Sequence, residues 1–161
     1  MKKLIYTLLI IIALTNNSFS AGTASDSSDN SSNYTKAKNL IKAAKKYEKK
    51  GKIEKAQKKY AKAQTLLIKS NEKKPLQADT LNYLGFTTRK LGDYEKGEKF
   101  YLLGLQVEPN HNGINEYLGE LYVATNRMDM AKERLEVLKT CNCEEFGELK
   151  EIIEGTKKSK Y

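Results

Sequence analysis

One histidine, two cysteines a single residue apart and a dense run of lysines are the residues in this chain whose types and spacing could do chemistry. His111 stands alone in "EPNHNG". A single histidine among Pro, Asn and Gly reads as a solvated turn residue rather than as a metal ligand or general base. No HExxH, GxSxG, GxxxxGK or EF-hand pattern occurs, so the usual metalloprotease, serine-hydrolase, phosphate-cradling and calcium-binding residue sets are missing. The acidic residues alternate with lysine along prospective helix faces, a pattern of exposed, weak ion pairs. The expectation is a non-enzymatic protein with no catalytic residues, no metal site and no cofactor.

Cys141 and Cys143, in "KTCNCEE", depend on the compartment, and the start of the chain bears on that. "MKKLIYTLLIIIALTNNSFSA" has two lysines, an apolar run from Leu4 to Leu14 and then small polar residues, the layout of a secretory signal peptide over residues 1–20. The apolar run is about half the ~20 residues a membrane span needs. Ser18 and Ser20 would precede a cut that leaves Ala21 first. Such a leader predicts export to a bacterial periplasm, an oxidising place. Residues 21–33, "AGTASDSSDNSSN", have no side chain able to offset ordering entropy and are expected to form a disordered leader. Three readings of the cysteines compete: a local structural disulfide, two thiols that stay reduced or are modified separately, and a redox or copper role. The last lacks a nearby histidine or further cysteine to complete a metal site. A bond across one intervening residue closes a very small ring, which tends to be strained.

The lysines are concentrated. From Lys36 to Lys62 there are twelve, against Glu48 and Glu54, a balance of +10; residues 63–161 hold fifteen basic and sixteen acidic residues, a balance of −1. The whole chain carries +9, which becomes +7 without Lys2 and Lys3. Such a patch attracts anionic partners in a salt-dependent way. Lysine is also an ordinary exposed helix former. Nucleic acid is disfavoured, since export separates protein from target and no arginine or aromatic residue is interleaved in the useful way.

Apolar residues recur every three or four positions, so the elements that must position these charges are helices. The pattern repeats at a period of 34: Leu84 and Gly85 recur as Leu118 and Gly119, and Gly97 as Ala131. Helices are expected from Leu76 to Lys90, Tyr94 to Val107, Gly113 to Thr125 and Met128 to Thr140, broken at "LGD" and "EPNHNG". An upstream copy begins at Ala37, turns at Gly51 and carries Ala56, Tyr60 and Ala63 on its second helix, which is extended before Pro75. "EEFGELKEIIEG" places Phe146, Leu149, Ile152 and Ile153 on one face of a last helix. A stack of repeats needs such a cap.

Leu81, Leu84, Gly85, Gly97, Tyr101, Gly104 and Pro109 stand at the spacing of the tetratricopeptide repeat (TPR), which this chain resembles. Repeat three departs from the pattern at Asn115 and Cys143. The resemblance implies an all-α TPR-type solenoid over residues 34–155, with repeats at about 37–70, 78–111 and 112–143, a capping helix at 144–155 and a basic tail at 156–161. It also implies that the small positions are where paired helices touch. Small exported bacterial repeat proteins of this type carry cysteines just before a terminal helix resembling the one begun by Glu144, Glu145 and Phe146.

In that family the first helices line a concave face that binds extended or helical segments of partner proteins. By repeat position the lining is Lys38, Ile41, Lys45 and Lys49, then Asp79, Asn82, Phe86, Arg89 and Lys90, then Glu116 and Glu120. Phe86 is either a partner anchor or a contact between repeats, and Arg89 could grip a carboxylate with two hydrogen bonds. The set does not reproduce the asparagines and lysines of the family's carboxylate clamp, which speaks against a chaperone-tail ligand. The expected function is an adaptor of the bacterial envelope that holds an unidentified protein or acidic peptide. The alternative is a peripheral module whose separate lysine face, at Lys42, Lys46 and Lys50, binds an anionic lipid or cell-wall polymer.

Overall fold

A computed structural model describes the backbone of residues 26–32 and residues 33–158 in full; the signal-peptide reading and residues 159–161 lie outside the described residues. The apolar periodicity folds into seven helices: α1 (Asp26–Lys49), α2 (Ile53–Lys73), α3 (Ala78–Lys90), α4 (Tyr94–Val107), α5 (Asn112–Ala124), α6 (Met128–Leu138) and α7 (Glu144–Ile153). They form three antiparallel pairs, and α7 packs across α5 and α6. None of the described helices is long and apolar enough to cross a membrane.

Each pair turns on a residue with positive φ, at Gly51 (65°), Gly92 (97°) and Asn126 (58°). These three positions are equivalent in the repeat. The left-handed conformation ends the first helix and reverses the chain, and glycine adopts it without a steric penalty. Asp93 then opens α4 by accepting a hydrogen bond from the Lys96 amide at 3.0 Å.

Several boundaries differ from the sequence expectation, α6 ending at Leu138 rather than Thr140 among them, and two have a plain cause. α1 starts at Asp26, within the stretch expected to be a disordered leader. Lengthening an existing helix costs far less than nucleating one. α3 starts at Ala78 rather than Leu76, because Leu76 takes φ +58° in the turn and is exposed.

Tight helix pairing explains the interior glycines. A Cβ on Gly97 would lie 3.1 Å from the Gly85 carbonyl oxygen and 3.3 Å from the Arg89 amide nitrogen; one on Gly85 would lie 2.5 Å from the Tyr101 ring. Gly119 does the same for the cap, since its Cβ would lie 2.5 Å from Leu149. Burial follows in two clusters. Ile41, Tyr60, Leu67, Leu81, Leu84 and Phe86 fill the space between the first two pairs. Tyr101, Ile114, Leu118, Leu121 and Ala131 fill that between the second and third.

Gly85→Val should lower unfolding stability by about 1–3 kcal/mol through overpacking against Tyr101. Gly147→Ala, where a Cβ meets nothing within 4 Å, should raise it by up to ~1 kcal/mol through helix propensity. Urea denaturation followed by circular dichroism measures both, and equal midpoints for the two variants would contradict the close-packing account.

Candidate functional site

The first helices of successive pairs touch one another, so α1, α3 and α5 form a continuous inner wall. α7 then crosses toward α1. The result is a cavity of about 1040 Å³ whose lining comes from α1, the start of α2, α3 and α7. Six lysines line it, Lys38, Lys42, Lys45, Lys46, Lys49 and Lys90, along with Glu48 and Glu148. Ile41, Ile53, Tyr83 and Phe86 supply the apolar part.

Several of these charges are held internally. Lys90 Nζ is 2.7 Å from Glu48, which also accepts a 2.7 Å hydrogen bond from the Tyr60 hydroxyl. Lys45 donates to the Tyr117 hydroxyl at 3.2 Å and lies 4.6 Å from the Phe86 ring centroid, close enough for a cation–π contact. Glu148 pairs with Lys157 at 3.2 Å, so the basic tail folds back on α7 at that point. Lys38, Lys42, Lys46 and Lys49 remain exposed on the rim.

Phe86 and Arg89 are not where a partner's tip could grasp them. Phe86 is 1% exposed, its ring 5.8 Å from that of Tyr60 and 5.0 Å from that of Tyr117, so it is the contact between repeats. Arg89 is also 1% exposed. Its guanidinium donates to the Tyr117 carbonyl oxygen at 2.6 Å, lies 3.7 Å from the Glu120 carboxylate, and sits under 6 Å from the ring centroids of Phe86, Tyr101 and Tyr117. The expected bidentate grip on a ligand is therefore replaced by an internal anchor joining α3 to α5. Burial lowers the pKa of Arg89, while Tyr101 and Glu120 oppose the shift. Glu120, 0% exposed, belongs to this anchor too.

The remaining residues expected in the groove separate into two groups. Lys38, Ile41, Lys45, Lys49 and Lys90 line the large cavity. Asp79, Asn82 and Glu116 line a second, polar cavity of about 340 Å³ against the α4–α5 loop and α7. Tyr83 borders both. Sequence reasoning missed Tyr83 and Glu148 and assigned Lys42 and Lys46 to a separate face; they line the large cavity, and only Lys50 lies outside it. The missing signal was the course of α7, which no local pattern in α1 reveals.

His111 is not merely solvated. It caps α5, its Nδ1 accepting from the Ile114 amide at 3.1 Å, and its Nε2 faces Asp79 Oδ1 at 3.2 Å. Cys141 and Cys143 are joined in a disulfide at the turn before α7. Glu116, Glu120 and Glu148 bring one carboxylate oxygen each within 4.8 Å of the others. Arg89 and Lys157 supply the counter-charge to that cluster.

With this geometry in view, solved structures are informative. The first TPR domain of Spaghetti (RPAP3), bound to the HSP90 peptide SRMEEVD, superposes with a TM-score of 0.53 at 21% identity, covering 76% of this chain and 94% of that chain. The NMR structure of the first TPR domain of human RPAP3 gives 0.53 and 21%, covering 78% of this chain and 98% of that chain. The fold is that of a TPR solenoid. No protein-family model and no curated protein matches the sequence. Beyond the repeat spacing of the sequence, the TPR likeness rests on helix arrangement.

Replacing Arg89 removes the opposite charge that the buried Glu120 carboxylate faces. Arg89→Met should cost about 3–5 kcal/mol, with part of the loss recovered when Glu120→Gln is added. Equal stabilities for the single and double variants in a denaturation cycle would contradict the coupling. Tyrosine ionisation tests the same wall. Burial pushes the hydroxyls of Tyr60, Tyr83, Tyr101 and Tyr117 upward, and that of Tyr122 up to about 12, with Glu98 adding to burial there. The unfolded chain ionises first, near pH ~10. The stability these groups contribute is complete below that pH and declines as pH rises through the folded values. Helical circular dichroism should be lost over that alkaline window together with a cooperative rise in tyrosinate absorbance, rather than after a gradual one.

Proposed function

We propose that this protein is a non-enzymatic adaptor that holds an acidic segment of a partner protein in the large cavity between α1, α3 and α7. One observation carries the reading: exposed lysines rim a space of about 1040 Å³ in which Ile53 and the half-buried Tyr83 offer apolar surface. Apolar floors provide affinity, and a ring of like charge steers and orients the approaching segment. TPR solenoids typically serve as protein-interaction scaffolds. The acidic peptide bound to the first TPR domain of Spaghetti (RPAP3) supports an acidic segment as the occupant, held here by a different set of side chains.

Placement in the bacterial periplasm is part of the same proposal. It is supported by the signal-peptide layout of residues 1–20 and by the disulfide between Cys141 and Cys143, a bond that persists in oxidising compartments.

Fluorescence anisotropy with a labelled aspartate- and leucine-rich peptide tests the reading. Binding should weaken as salt rises, and Lys42→Glu with Lys46→Glu should lower affinity roughly tenfold, at up to ~1 kcal/mol for each exposed pair disrupted. Co-sedimentation with vesicles containing phosphatidylglycerol supplies the contrast. Retention on vesicles without peptide binding would overturn the adaptor reading in favour of an anionic surface.

A further inference from the structure

The large cavity uses the lysines of α1, and α2 contributes to it only Ile53. α2 has six lysines of its own, Lys55, Lys58, Lys59, Lys62, Lys69 and Lys73, with Glu54 and Glu72 near its two ends. Its contacts fix how it is turned. Ala56, Tyr60, Ala63 and Leu67 are buried, and Gln57 and Gln64 donate hydrogen bonds to α3. Lys55, Lys62 and Lys69 recur every seven residues and Lys58 lies one turn from Lys55. These four exposed lysines therefore share one flank of the helix, about 21 Å long.

That flank differs from the outer surfaces of the later pairs. Lys99 of α4 is paired with Glu95 at 2.6 Å, and Lys132 of α6 with Asp129 at 3.9 Å. Lys55, Lys58, Lys62 and Lys69 have no ion pair among the described residues. The flank thus projects a positive field that its own helix does not answer.

A second observation lies at the end of α2. Leu76, in "KKPLQ", takes φ +58° and is 49% exposed. A bulky apolar side chain seldom adopts that conformation, and here it gains no burial in return. Ile68, 44% exposed, adds apolar surface one residue before Lys69.

The chemistry chooses the partner. A soluble polyanion would meet the lysines but leave Leu76 and Ile68 in water. A peptide or a discrete phosphate ligand needs a recess, and the four lysines line neither of the cavities described above. Nucleic acid favours arginine forks or aromatic faces; α2 has no arginine, and its one aromatic residue, Tyr60, is buried. A bilayer with anionic headgroups meets both demands, with ammonium groups at the phosphate level and apolar tips just below it.

We propose that the lysine flank of α2 and the turn at Leu76 dock on an anionic phospholipid bilayer, leaving the groove between α1, α3 and α7 free for its own occupant. The two surfaces are separate, so the inference stands or falls apart from the adaptor reading.

The chain has no tryptophan, which makes Leu76→Trp a sole reporter. The mature form from Ala21 carries every described helix and lacks the apolar run of residues 4–14, so lipid binding can be assigned to the folded part. It should co-sediment with vesicles of phosphatidylcholine and phosphatidylglycerol in equal parts, and not with phosphatidylcholine alone. Lys55→Glu with Lys62→Glu should lower the partition coefficient by more than about tenfold, while circular dichroism and acidic-peptide affinity stay unchanged. Lys42→Glu with Lys46→Glu should lower it much less. Emission of the Leu76→Trp variant should shift to the blue on the anionic vesicles. No partition, equal losses from the two lysine pairs, partition without an emission shift, or binding to dextran sulfate but not to vesicles would each overturn the membrane face. The peptide titration decides the adaptor reading separately.

Discussion

The close approach of α3 and α4 at Gly85 and Gly97 sets the geometry from which the rest follows. With no Cβ at either position, the two backbones meet where a side chain on Gly97 would come within 3.3 Å of main-chain atoms. Each glycine sacrifices about 1 kcal/mol of helix propensity, and dense packing around it returns more. Because α3 and α4 sit so close, Tyr101 reaches across α3 and meets Arg89 from below. The pair thus presents a thin, rigid plate, and stacking plates of this kind leaves the first helices in a row with a recess along them.

Burying Arg89 beneath that recess is the second organising choice. A guanidinium with 1% exposure is expensive, and the Tyr117 carbonyl, Glu120 and three aromatic rings offset part of that cost. The partners come from α3, α4 and α5, so one side chain ties the second helix pair to the third. A leucine would pack the same space without this directional requirement. The cation also balances Glu120, which lets the α5 carboxylates approach α7 without driving the cap away.

Repeat architecture was legible because small residues at a fixed interval have a local cause, helix contact, that is visible in a one-dimensional pattern. Gly85, Gly97 and Tyr101 carried it, and the paired helices lie where that spacing placed them. Half of the groove was legible as well, since a repeat position defines which side of a helix faces inward. Projection onto a wheel could not reveal that Phe86 and Arg89 face inward yet lie beneath Tyr117 and Lys45. Their burial depends on how sharply the stack curves and on side chains contributed by neighbouring plates. The same curvature brings Glu148 of α7 to the cavity lined by α1. That shared lining brings together residues about a hundred positions apart, and neither segment's pattern encodes it.

The division of charge along the groove has a physical reason to persist. Opposite charges in one recess tend to pair, and Lys90 does so with Glu48, Arg89 with Glu120 and Lys157 with Glu148. The exposed lysines of α1 and the carboxylates around Asn82 belong to different walls, separated by Tyr83 and Tyr117. At physiological ionic strength, screening over ~8 Å weakens their mutual attraction through solvent. A ligand that excluded that solvent would lower the local dielectric, and each patch would then act more strongly on a complementary charge beside it.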